Sequence, residues 1–188
     1  NGQQSREPWS IDLLPGQTYQ LTTANGGAPY SGMRVHANED IAVFGGSPCA
    51  NVPRSIGACD HLFEQLLPDR NLGQNFLAPT LATRTVGNQY KFTALHDDTV
   101  VTANGVIIAV IDEGESTERR VDGPVELHTS KPAQVQLLAL GNLADIGHRS
   151  VPPDITTDDA ADLMDPFSVA LAPRETYLSD YLFTTPQF

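Results

Sequence analysis

The chain has 188 residues, 40% of them hydrophobic and 18% charged, which is enough apolar material to fill a core and excludes a disordered coil. It carries 23 acidic against 11 basic residues, a formal net charge of -12, with Lys91 and Lys131 its only lysines. That balance repels nucleic acid and anionic membrane surfaces, and no run of about 18 apolar residues exists to cross a bilayer.

The opening NGQQSREPWS has neither a basic n-region nor an apolar h-region, so a signal peptide is expected to have been removed, or the chain to start inside a longer protein. Trp9–Tyr19 (WSIDLLPGQTY) then recurs as Phe167–Tyr177 (FSVALAPRETY), with Ser, Leu, Pro, Thr and Tyr identical. Both copies are expected to form strands in equivalent settings, ended by Pro15 and Pro173 because proline cannot donate to a ladder. Val35–Val43 pairs in the same way with Leu127–Val135, and Phe92–Val100 fits the frame. Each reads as a strand, a tight polar turn and a returning strand. His36 and His128 occupy the same place in two copies, which predicts a structural role for both.

Further along, YQLTT, RVHA, IAVFG, YKFTAL, TVVTA, VIIAVI, PVELHT and AQVQLLAL are short β-branched, aromatic or alternating runs, the vocabulary of strands. Asn104-Gly105 inside TVVTANGVIIAVI predicts a type I′ hairpin turn. Helices are expected only over Asp60–Leu67, capped by Asp60 and presenting Leu62, Phe63, Leu66 and Leu67 to the sheet, and weakly over Thr157–Met164. The fold class is all-β: a β-sandwich-like assembly of repeated strand-turn-strand units with one short helix after the cysteine loop. Two β lobes, at about 1–85 and 86–166, are expected, with 167–188 starting a further repeat unit.

Chemistry is sparse. There is no G-x-S-x-G, H-E-x-x-H, C-x-x-C, P-loop or G-x-G-x-x-G pattern. Asp97 and Asp98 are the carboxylates an acid-base mechanism would need, but adjacent residues of a strand or turn point apart, and with His96 they suit a turn. Asp154, Asp158, Asp159, Asp162 and Asp165 form an acidic cluster without the spacing of a calcium loop. Cys49 and Cys59 could join His61 and Glu64 around zinc, yet structural zinc sites space their cysteines more closely. Nine residues between two cysteines in an acidic all-β chain fit a disulfide formed in an oxidising compartment. No catalytic residue, metal ligand or cofactor site is assigned.

GMRVHANEDIAVFGGSPCANVP followed by CDHLFEQLLPDRNLGQNFLAP resembles the N-terminal domain of the IgG Fc-binding protein family. The carriers are the IAVFGG strand, a nearby cysteine, the motif Asp60, His61, Leu62, Glu64 and Gln65, and the G-x-x-F-x-x-P run Gly73–Pro79. YKFTALHDDTVVTANG, PVELHTSKPAQVQLLALG and DPFSVALAPRETYLSDYLFTTP follow the family's order. The tryptophan usual before Gly73 is Leu72 here, and many members continue past the final TTP.

The resemblance implies an extracellular or cell-surface binding and adhesion module of a larger secreted protein, without enzymatic activity and with a protein or glycan ligand. The acidic, lysine-poor composition resembles bacterial members more than animal ones. No residue motif carries IgG binding across. The second reading is a structural spacer or assembly subunit of a surface fibre or layer, self-associating through an unpaired strand. A glycan-processing enzyme domain is the third.

Overall fold

The computed structural model describes residues 8–23, 30–54, 59–81, 87–141 and 165–182. The expected helix over Thr157–Met164, and Asp154, Asp158, Asp159 and Asp162 of the acidic cluster, lie outside them. The chain divides into two units, Asn1–Tyr30 and Ser31–Phe188.

In the first unit, Leu14-Pro15-Gly16-Gln17 forms a tight turn. The Gln17 amide donates to the Leu14 carbonyl at 3.0 Å, and the Leu14 amide donates to Gln17 Oε1 at 2.8 Å. Gly16 sits at φ 81°, where a side chain is strained, and Pro15 fixes the residue before it. The Trp9 and Tyr19 rings meet at 5.7 Å, tilted by 59°. No ladder forms over residues 8–23, and Trp9, Ile11 and Leu13 are exposed.

The second unit is built of antiparallel strands: β1 Phe44–Ala50, β2 Asp60–Gln65, β3 Gly73–Ala78, β4 Asn88–Ala94, β5 Thr99–Ala103, β6 Val106–Ile111, β7 Ser116–Val121, β8 Val125–Leu138 and β9 Ser168–Ala170. β1 and β2 make a separate ribbon; the rest form one sheet in the order β6-β5-β8-β4-β7, with β3 and β9 added on β8. β8 organises the sheet. Its first half pairs with β5 and β3, and its second half with β4 and β9. Lys131-Pro132 lies where the two halves meet, a position suited to a residue without an N–H.

Strand alternation explains the burial. Tyr90, Phe92 and Ala94 of β4, Val101 and Ala103 of β5, and Leu127, Val135 and Leu137 of β8 all point into one core with Phe76. β5 and β6 are joined by Asn104-Gly105 at φ 47° and 79°, the positive pair the sequence predicts. No helix among the described residues is long and apolar enough to cross a membrane.

Three expectations are corrected. Asp60–Gln65 is strand β2, not a helix; its residues pair with β1 and alternate between faces, and only a 3-10 turn at Asp69–Asn71 follows. Leu127–Val135 does not turn at Ser130-Lys131-Pro132 but runs on as β8, because Leu127–Thr129 before it are held by β5 and β3 and Ala133–Val135 after it by β4. Of the recurring opening segments, only the later one reaches a ladder, as the three residues of β9.

Candidate functional site

The β1–β2 ribbon carries the cysteines and the CDHLFEQ block, and its two faces differ. Gly45↔Glu64 and Ser47↔Leu62 face inward and are partly buried. Leu62 packs on Val52, Leu138 and Leu140, a small second core that seats the ribbon on β8. The Gly141 amide donates to the Val52 carbonyl at 2.8 Å and the Leu66 amide to the Val43 carbonyl at 2.9 Å, tying down the segments that flank the ribbon.

The other face is open. Phe44, Pro48, His61, Phe63 and Gln65 are exposed there, with Gly46 between them. Phe44 and Phe63 remain 50% and 66% accessible, yet their rings stack on each other at 4.9 Å and only 3° from parallel. Gly46 lies opposite Phe63, and a Cβ on it would strike the Leu62 carbonyl, so only glycine lets the two strands close at this point.

Cys49 and Cys59 are disulfide-bonded with Cα atoms 5.1 Å apart, which closes the loop at the end of the ribbon. Asp60 Oδ1 accepts the His61 amide at 2.7 Å and lies 3.2 Å from His61 Nδ1. The backbone hydrogen bond from His61, then its side chain, hold the Asp60 carboxyl below the ordinary carboxylate range. The motif residues thus divide: Asp60, Leu62 and Glu64 support from behind, while His61 and Gln65 flank the aromatic pair.

The other residues singled out by sequence lie elsewhere and do not converge. Asp97 and Asp98 sit on the exposed β4–β5 turn, Asp98 at φ 52°; Asp97 Oδ1 accepts the Glu113 amide and the Asp98 backbone amide donates to Asp112 Oδ1, each at 3.0 Å. His36 is exposed, and His128 Nδ1 lies 3.0 Å from Asn75 Oδ1. Among the described residues, no group of three or more His, Cys, Asp or Glu side chains could hold a metal ion. The sequence missed Phe44 and turned Phe63 inward. With one apolar residue on each face of D-H-L-F-E-Q, alternation alone could not choose; the paired glycines of β1 were the available signal.

The family described as IgGFc binding protein matches the chain over residues 1–188. A human protein named IgGFc-binding protein is 33% identical over 69 residues, which is 37% of this chain and 1% of that protein's own length. No solved structure matches.

Proposed function

Because the chain belongs to the IgGFc-binding protein family, we propose that it is an extracellular, non-catalytic protein-binding module, and that the outer face of the stapled β1–β2 ribbon makes the contact. The observation that carries this reading is the stacked, solvent-exposed pair Phe44–Phe63. Large aromatic side chains left in water on a rigid support are what a protein interface buries at its centre. The disulfide and the Leu62 contact hold the rings in place before binding, so little ordering entropy is lost on association.

The human relative's name makes the Fc part of IgG the first partner to test. The experiment is surface binding of Fc, and of a panel of secreted proteins, to the wild-type chain and to Phe44→Ser/Phe63→Ser. A partner that binds the wild type and loses at least tenfold in affinity with the double variant supports the reading. A partner bound equally by both places the contact elsewhere. A structural, self-assembling role is the second reading, favoured by the recurrence of Trp9–Tyr19 in Phe167–Tyr177.

A further inference from the structure

The segment Pro166–Tyr177 lies in a groove along β8 and β3. Ser168, Val169 and Ala170 pair with Leu138, Leu137 and Gln136. The Ala139 amide donates to the Phe167 carbonyl at 2.8 Å and the Leu171 amide to the Val135 carbonyl at 2.9 Å, extending the contact past both ends of β9. Pro166 and Pro173 are fully buried, and Leu171 packs against the main core. Gly73 makes the seat: a Cβ there would run into the Pro173 ring and the Glu175 carboxylate. Glu175 Oε1 then accepts three hydrogen bonds from β3, from the Gln74 amide at 3.0 Å, the Asn75 amide at 3.2 Å and Asn75 Nδ2 at 2.8 Å.

The related segment Pro8–Tyr19 reaches no ladder and leaves Trp9, Ile11 and Leu13 in solvent. Its likeness to the seated segment follows burial. The three side chains that the groove takes up, Pro166, Leu171 and Pro173, have identical counterparts in Pro8, Leu13 and Pro15. Thr176, whose hydroxyl donates to the Pro173 carbonyl at 2.8 Å, has an identical counterpart in Thr18. Differences fall at exposed Ala172 and Arg174, which become Leu14 and Gly16. Ala170, partly buried opposite Gln136, becomes Asp12, within reach of a side-chain amide that can donate to it. Glu175 becomes Gln17, whose Oε1 can accept the same hydrogen bonds without the charge.

We propose that the groove along β8 and β3 is a strand-acceptor site whose second occupant is the Pro8–Tyr19 segment of another copy of this chain. The chain's own Pro166–Tyr177 holds the groove by proximity, since a tethered segment competes at an effective concentration of the order of millimolar. When that segment is loosened, an incoming Pro8–Tyr19 segment adds a strand by backbone pairing and drops Pro8, Leu13 and Pro15 into the same three seats. The contact joins two different surfaces, so it links copies head to tail and leaves an acceptor and a donor at the two ends of any assembly. The acceptor site on β8 and β3 uses no residue of the outer face of the β1–β2 ribbon.

The test uses the full chain and a fluorescent synthetic peptide, PWSIDLLPGQTY. Glu175→Ala removes the acceptor of three hydrogen bonds, and Leu171→Asp puts a charge where the own segment meets the core; neither residue belongs to the groove wall. Hydrogen exchange at the Leu171 or residue-171 amide reports whether the own segment has left. Fluorescence anisotropy is expected to show the peptide binding the loosened variant at least tenfold more tightly than the wild type, and a Leu13→Asp peptide failing to bind. Sedimentation of the loosened full chain is expected to show concentration-dependent association that Leu13→Asp within the same chain abolishes. No peptide binding after the residue-171 amide has lost its protection overturns the proposal. So does binding by a PFSVALAPRETY peptide alone, which would assign the groove to exchange of the later segment between copies.

Discussion

Arg119 of β7 donates through Nε to the Ile108 carbonyl of β6 at 2.9 Å. β6 and β7 are the two ends of the strand order, and they follow each other in sequence without pairing. The guanidinium also donates from Nη1 to Thr117 Oγ1 at 2.6 Å and to the Glu118 carbonyl at 2.8 Å, so the side chain is held from its own strand while it reaches the other. The residue it caps lies at the irregularity in the β5–β6 register, between the partners of Val101 and Thr102. A bulge and a charged cap are both devices that blunt an open edge.

Replacing Arg119 by Met is therefore expected to cost about 1 kcal/mol, the net worth of a typical intramolecular hydrogen bond, because at this exposed position water can replace the lost donor. The loss should be local. Faster amide exchange in Val106–Ile111, with Tyr90 and Phe92 amides unchanged, is the expected pattern; uniform acceleration across the sheet would refute a seam role.

Removing the disulfide by Cys49→Ser/Cys59→Ser should lower stability by about 2 to 3 kcal/mol in the chain-entropy account, since the closed loop is short. Urea denaturation of the wild type with and without reductant should reproduce the difference. The Phe44–Phe63 stack should loosen with it, seen as averaging of the ring NMR signals, while the main core stays intact.

Gly46 and Phe63 lie opposite each other, but substitutions at the two should behave in opposite ways. Gly46→Ala drives a Cβ into the Leu62 backbone and should cost about 1 to 3 kcal/mol, the range for overpacking a closed contact. Phe63→Ser removes a largely exposed ring and its cross-strand stack on Phe44, and should cost about 0.2 to 1 kcal/mol. Equal costs for the two substitutions would show that the outer face is packed rather than open.

Glu175 gives a pH dependence of definite sign. Burial pushes its carboxyl up, but hydrogen bonds from its own backbone amide, from Gln74 and from the amide and side chain of Asn75 outweigh that and hold it below the ordinary value. A carboxylate depressed in the folded state stabilises above its unfolded pKa, and that share is lost as pH falls through the folded pKa. The stability gap between wild type and Glu175→Gln should thus be full at pH 6 and shrink below the ordinary glutamate range. Asp60 is depressed as well, but it is common to both proteins and cancels. Urea midpoints at pH 6 and pH 3 measure the gap; a gap independent of pH would falsify the anchoring role of the carboxylate.

The sequence showed its fold where local chemistry and pairing agree. Asn104-Gly105 demands positive φ at two successive residues, and β4, β5 and β6 alternate or are β-branched throughout, so these strands were readable. β7 was not, because Ser116–Val121 is polar and charged, as suits an edge strand. β2 reads as a helix because Asp60 suits a cap and Leu62, Phe63, Leu66 and Leu67 fall at helical spacing; the pairing with β1 across the disulfide overrode that preference. The disulfide followed from spacing and composition. The exposed aromatic pair did not, since it joins Phe44 to a residue nineteen positions away and depends on which face of β2 turns inward.

β8 belongs to both sets of ladders, and this limits how the fold can be divided. A cut at Lys131-Pro132 would leave β5 and β3 with one half of their common partner and β4 and β9 with the other. Neither fragment would retain a closed core, because Leu127 lies before the cut and Val135 and Leu137 lie after it within the same cluster. Anything transplanted into another protein must accordingly carry both halves of β8 together with the strands that pair to each.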